Sequence, residues 1–273
     1  MRIIKIIFPA VLLLFSGYGL MAQSAAVSPS RVYFNAEPGQ AQTRRITVTN
    51  TSDTPQSFTV SFADFGSPGT EGKTELMEPG ESVHSASNWL SASPSLIELN
   101  TGESRDVDII LQVPDSPEAA RVVWSTVLVR LARERTVPPG LGEDALGFGI
   151  MHTFQFVIHV FQTPPSVTYR NARILGFEDA GKVESGKRQV KLHVENTGDA
   201  IIDVAAYLEL TNMRTGESRR ERARAFTTLP GHSRIMYFTL PEDLSPGNYS
   251  ILGVVDYGDR DAVIAAELDL VIE

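Results

Sequence analysis

Ile46-Thr47-Val48-Thr49-Asn50-Thr51-Ser52-Asp53 reads as a strand running into a turn, and the second half of the chain repeats it as Leu192-His193-Val194-Glu195-Asn196-Thr197-Gly198-Asp199. In both, aliphatic residues alternate with polar ones, the period-two signature of a half-buried strand, and Asn with small or acidic residues then supplies turn chemistry. Two further landmarks follow in the same order. Thr101-Gly102-Glu103-Ser104-Arg105 answers Pro230-Gly231-His232-Ser233-Arg234, and Val113-Pro114-Asp115 answers Leu240-Pro241-Glu242 after an apolar alternation in each half. Three matched landmarks imply one sandwich architecture used twice.

Working outward, the same short alternating runs recur between Gly, Pro, Asn and Asp. They cover residues 27–34, then Phe58, Val60 and Phe62, then Val107, Ile109 and Leu111, then 123–131 around Trp124, then 148–161. The pattern restarts over 167–175 and continues to Ile272, and no segment sustains a 3.6-residue apolar period. This predicts an all-β chain of two tandem immunoglobulin-like β-sandwich domains with little helix. Consecutive prolines at Thr163-Pro164-Pro165 stiffen a short linker, so domain one is expected over residues 23–163 and domain two over 164–273. Residues 132–147 form a connection longer than a compact sandwich needs, and such connections are often functional.

Residues 1–22 read as a secretory signal peptide. Two basic residues, Arg2 and Lys5, precede a short apolar stretch and then small residues, with cleavage expected after Ala22 or alternatively after Ala26. The apolar stretch is shorter than the roughly 20 residues a spanning helix requires. Removing it takes two of the 24 basic residues, leaving 22 against 33 acids and a net charge of −11. That balance argues against nucleic acid and against anionic membrane, both of which need clustered Lys and Arg. With no cysteine, disulfides, thiol nucleophiles, lipidation at the cut and Cys-ligated metals are excluded. Such a protein must hold itself together by its cores.

The side chains offer no catalytic constellation. His152 and His159, seven apart on one predicted strand, point to opposite faces, and His84, His193 and His232 lie in separate segments without metal-ligand spacing. Asp256, Asp259 and Asp261 crowd a turn without the spacing of a calcium loop. The glycines at 140, 142, 147 and 149 do not join a strand to a helix, so they form no phosphate cradle. There is no Gly-x-Ser-x-Gly nucleophile elbow. The reading is of a non-enzyme without cofactor or metal.

Several segments, taken in order, carry a family likeness. Val27-Ser28-Pro29-Ser30-Arg31-Val32-Tyr33-Phe34 opens the first domain, and the strand from Ile46 to Asn50 follows. Next come Pro94-Ser95-Leu96-Ile97-Glu98-Leu99-Asn100-Thr101-Gly102-Glu103, the run over 118–131 with Trp124, and Ile158-His159-Val160-Phe161-Gln162-Thr163-Pro164. This succession resembles the periplasmic pilus-chaperone family, two-domain immunoglobulin-like proteins that hold unfinished pilus subunits. The likeness covers about residues 25–165.

The resemblance implies strand addition, in which main-chain hydrogen bonds give affinity and alternate apolar side chains fill pockets of the client. By position, Ile150 and Phe154 would be such residues, with Phe156 and Ile158 continuing that face. The family also anchors the client's terminal carboxylate with two cations. Arg31 stands at the first of these places, and His159, whose imidazole is mostly neutral near pH 7, stands at the second. The implied partners are secreted or pilus-like protein subunits, in the periplasm, with no nucleic acid and no small-molecule substrate. The alternative is a two-domain adhesion or scaffold module of the cell envelope, acting through exposed loops and edge strands.

Overall fold

The computed structural model describes residues 25–132 and 154–272. The expected leader, Ile150, His152 and nearly all of the 132–147 connection lie outside these residues. Ten strands build the first sandwich: β1 (Ala25–Ser28), β2 (Arg31–Phe34), β3 (Ala41–Asn50), β4 (Gln56–Gly66), β5 (Glu75–Met77), β6 (Leu90–Ser93), β7 (Leu96–Leu99), β8 (Ser104–Gln112), β9 (Val123–Ala132) and β10 (Gln155–Gln162). One sheet runs β1-β3-β8-β6; the other runs β2-β10-β9-β4, with β5 and β7 also on β4. The second sandwich comprises β11 (Ala172–Lys182), β12 (Arg188–Asn196), β13 (Ile202–Asn212), β14 (Ser218–Arg220), β15 (Arg224–Thr228), β16 (Ser233–Thr239), β17 (Gly247–Asp256) and β18 (Ile264–Ile272). Its sheets run β11-β12-β16 and β14-β13-β17-β18, with β15 beside β14 on β13. Both are immunoglobulin-like, and helix is confined to two short 3-10 turns among the described residues.

The alternation read in the sequence is what fills the cores. Ile46, Val48, Val107, Ile109 and Leu111 are wholly buried in the first, and Val190, Leu192, Val194, Leu208 and Ile251 in the second. Burying each such side chain contributes roughly 1.5–3 kcal/mol, the resource on which a chain without disulfides depends.

The first predicted run, 27–34, is not one strand. Its residues pair with β3 up to Ser28 and with β10 from Arg31, so the chain changes sheet across Pro29. The same happens at Pro94, where β6 pairs with β8 and β7 with β4. A residue without an N–H leaves the ladder at little cost at such a point. The run expected over 167–175 also differs. Strand β11 begins only at Ala172, because the backbone before it is engaged elsewhere: Val167 N–H closes a turn onto Pro164 and Tyr169 C=O accepts from Asp199 and Ala200.

The repeated landmarks have a common physical role. Asn50 is fully buried at the end of β3, its Nδ2 within 2.8–3.1 Å of the Thr54, Leu99 and Asn100 carbonyls and its Oδ1 accepting from Ser52. Asn196 at the end of β12 does the same with Ala200, Thr228 and Gly198. The main chain of each Asn also bonds the matching turn, Glu103 and Gly102 in one half and His232 and Gly231 in the other. Gly102 and Gly231 both have φ +72°, a conformation that disfavours any side chain. The first two landmarks therefore touch each other in each half, and the same buried amide closes both sandwiches.

Candidate functional site

Two features meet at strand β10. Along its length it pairs antiparallel with β9, from Gln155 opposite Arg130 to Gln162 opposite Val123. On its other side the parallel partner β2 reaches only from Arg31 opposite His159 to Phe34 opposite Gln162. Among the described residues, 155–158 are thus laddered on one side only. The side chains of that stretch grade from outside to inside. Phe154 is 49% exposed, Phe156 is half-buried against the first core, and Ile158 belongs to that core. Backbone groups open at an edge, next to an exposed aromatic, form a surface on which another strand can pair.

The second feature lies where β10 meets the other domain. Arg31, Phe65, Thr74, His159, Thr227, Leu229 and Arg234 are among the residues lining a cavity of about 100 Å³ between the two sandwiches. Its floor is aromatic: Phe161 stacks on Tyr33 at 5.4 Å and meets Phe65 edge-on at 6.2 Å, while His159 meets Phe65 edge-on at 4.9 Å. Its rim is polar and cationic. Arg31 donates to the Thr227 hydroxyl at 3.1 Å, and Thr227 donates to the Asp203 carboxylate at 2.6 Å. His159 Nε2 lies 2.9 Å from the Thr74 hydroxyl. Burial lowers the pKa of His159 below its ordinary value, and the positive charge of Arg31 pushes it the same way. The imidazole there is a neutral hydrogen-bonding group.

A third apolar cluster fixes the cleft. Phe65, Val122, Trp124 and Phe161 of the first sandwich pack with Leu229 of the second, joined by Val167 and Ile201. Trp124 is 2% exposed, and its indole N–H donates to the Phe65 carbonyl at 3.0 Å. It stacks on His84 at 4.2 Å and receives His232 edge-on at 6.0 Å. Across the same junction Ile235 N–H donates to Thr70 C=O at 2.9 Å, and Ser166 donates to the Glu37 carboxylate.

Of the residues singled out in the sequence, Arg31 and His159 are register partners and share the cleft, whereas Phe156 lies further back along β10 and Phe154 just before its start. Ile150 lies outside the described residues. Sequence reasoning missed Arg234 and Thr227, which come from β16 and β15 of the second domain. In the sequence Arg234 is only the last residue of the repeated turn landmark. As the second residue of β16 it reaches the cleft only through the packing of the two domains, which no sequence pattern marks.

No family model matches the chain, and no curated protein matches it. Among solved structures it is similar to the chaperone–tip adhesin complex of CFA/I fimbriae, at 11% identity over 91% of this chain and 98% of that one, with a TM-score of 0.46. It is similar to the E. coli chaperone DraB at 20% identity over 90% and 98%, with a TM-score of 0.44. A Salmonella enterica complex of SafA pilin with the SafB chaperone matches at 16% identity over 90% and 96%, with a TM-score of 0.43. The chain thus resembles pilus chaperones of known structure along nine tenths of its length.

Proposed function

We propose that the chain is an exported, periplasmic chaperone that captures an extended segment of a secreted or pilus-like subunit by strand addition on β10 and receives the segment's end in the cleft. One observation carries this reading: over 155–158, β10 is laddered on one side only among the described residues, beside an exposed Phe154 and ending at Arg31 and His159. A segment pairing there gains main-chain hydrogen bonds at the edge, and its apolar side chains meet Phe154. Its chain end then lies at the cationic rim. Binding of this kind requires no bond-making chemistry.

The test is capture of envelope proteins by the tagged chain and by Phe154→Asp. The variant is expected to keep its circular dichroism and unfolding midpoint, because the ring is half exposed, and to lose capture, because a carboxylate entering an apolar client pocket is strongly penalised. In the wild-type complex, amide exchange over 155–158 is expected to slow. Unaltered capture by Phe154→Asp, or capture without slowed exchange at the β10 edge, refutes strand addition and favours a scaffold module. Unfolding of domain one in the variant assigns the ring to the domain's own core.

A further inference from the structure

The rim of the cleft brings together two guanidinium groups from different domains, Arg31 on β2 and Arg234 on β16. Neither forms an ion pair among the described residues. Asp203, the acid nearest in the hydrogen-bond chain, is reached from Arg31 only through the Thr227 hydroxyl. Arg234 is also held in place. Its Cζ would lie 2.6 Å from a Cβ at Gly72, so the side chain rests on the bare backbone of that glycine, while its Cζ is 5.5 Å from the Phe226 ring centre. Its strand is tied to domain one by the bond from Ile235 to Thr70. Two like charges in one small cavity repel each other, and burial together with Arg31 lowers the pKa of Arg234. A chain with net charge −9 has thus concentrated unneutralised positive charge at one place.

The cavity of about 100 Å³ equals the liquid volume of roughly three waters. That leaves room for a small oxyanion between the two guanidinium groups. Guanidinium forks match the two oxygens of a carboxylate, and such charge-assisted pairs are the strong ones. Thr227, Thr74 and His159 offer further polar contacts at the rim.

We propose that Arg234, contributed by the second domain, is the second cation of this cleft, and that with Arg31 it grips the terminal carboxylate of a captured chain. The anchor is then split between the domains, and His159 acts as a neutral hydrogen-bonding wall. This rests on the chain-capture reading above and adds that the two domains must hold their mutual orientation for the anchor to exist.

The probe is N-acetyl-glycyl-phenylalanine as the free acid and as its C-terminal amide, with inorganic phosphate in a separate arm. Binding is followed through the Nε–Hε signals of 15N-arginine in the full chain. The free acid is expected to move the Arg31 and Arg234 signals together, and the amide to move neither. In Arg234→Gln, which keeps most of the side-chain stem, the Arg31 response is expected to need about tenfold more acid, the effect of losing one charge-assisted hydrogen bond. Arg234→Lys should fall between. An unchanged Arg31 titration in Arg234→Gln, or an equal response to the amide, overturns the proposal. So does a phosphate response at much lower concentration than the acid, which makes the seat a phosphate site. If the acid titrates as expected while Phe154→Asp still captures partners, the seat stands and strand addition on β10 falls. If Phe154→Asp abolishes capture but Arg234→Gln leaves the titration unchanged, capture stands and the split anchor falls.

Discussion

Replacing Trp124 by Ala removes the side chain that both sandwiches pack against. The indole is 2% exposed and touches groups from each domain: Phe65, Val122, Phe161 and His84 on one side, Leu229 and His232 on the other. Deleting a buried large aromatic costs roughly 3–5 kcal/mol through lost transfer energy and the cavity left behind. The Phe65 carbonyl also loses its donor at 3.0 Å, which adds about 1 kcal/mol if no water replaces it. We therefore expect about 4–6 kcal/mol. At roughly 2–4 °C per kcal/mol for a chain of this size, the midpoint should fall by about 8–24 °C. The measurement is thermal and urea unfolding by circular dichroism, with Trp124→Phe as a control that keeps ring packing, loses the hydrogen bond and costs about 1–2 kcal/mol. Because the cluster spans the junction, Trp124→Ala should also separate the unfolding of the two domains into distinct transitions. A shift below about 2 °C would refute the reasoning, since no relaxation of the junction repairs a void of that size so cheaply.

Two other outcomes follow from the buried amides and from the cleft. Asn50→Ala should cost the first domain about 2–4 kcal/mol, because several buried partners at Thr54, Leu99, Asn100 and Ser52 lose their bonds at once; in urea unfolding Asn196→Ala should strike only the second domain. His159 has a lowered pKa in the fold, so on acidification the unfolded chain takes up this proton first. Its contribution to stability is therefore complete above the ordinary histidine value of about 6.5 and declines as pH falls through it. A urea midpoint that falls between pH 7.5 and 5.5 in the wild type, and falls less in His159→Gln, is the expected result; equal slopes would contradict it.

Much of the fold was legible because it is written in local alternation. The wholly buried positions of β3, β8 and β12 are the ones a period of two selects, and the matched Asn and Gly landmarks turned out to be bonded to each other. The sheet changes at Pro29 and Pro94 were less legible, since alternation gives the face of a strand and not the identity of its neighbour. The cleft was half legible. Arg31 and His159 lie on strands whose likeness to a known family could be read along the sequence. Arg234 could not be found that way, because it joins them only through the docking of one sandwich on the other. Trp124 shows the same limit. It lies in a β-branched run that reads as a strand, but its partners Leu229 and His232 lie about a hundred residues downstream.

The break at Pro29 has a consequence for how the first domain is made. Its opening strand cannot be completed by its neighbours in sequence: β1 needs β3, but β2 must wait for β10, roughly 130 residues later. At a synthesis rate of about 5–20 residues per second, that is a delay of order ten seconds during which the apolar side of residues 31–34 has no place to go. The sandwich closes last at the strand that also carries the open edge, so a nascent chain lacking residues 159–162 should remain sensitive to protease at its own beginning. Arrested chains of increasing length, probed by limited digestion, would show protection near residue 31 appearing abruptly once β10 has emerged.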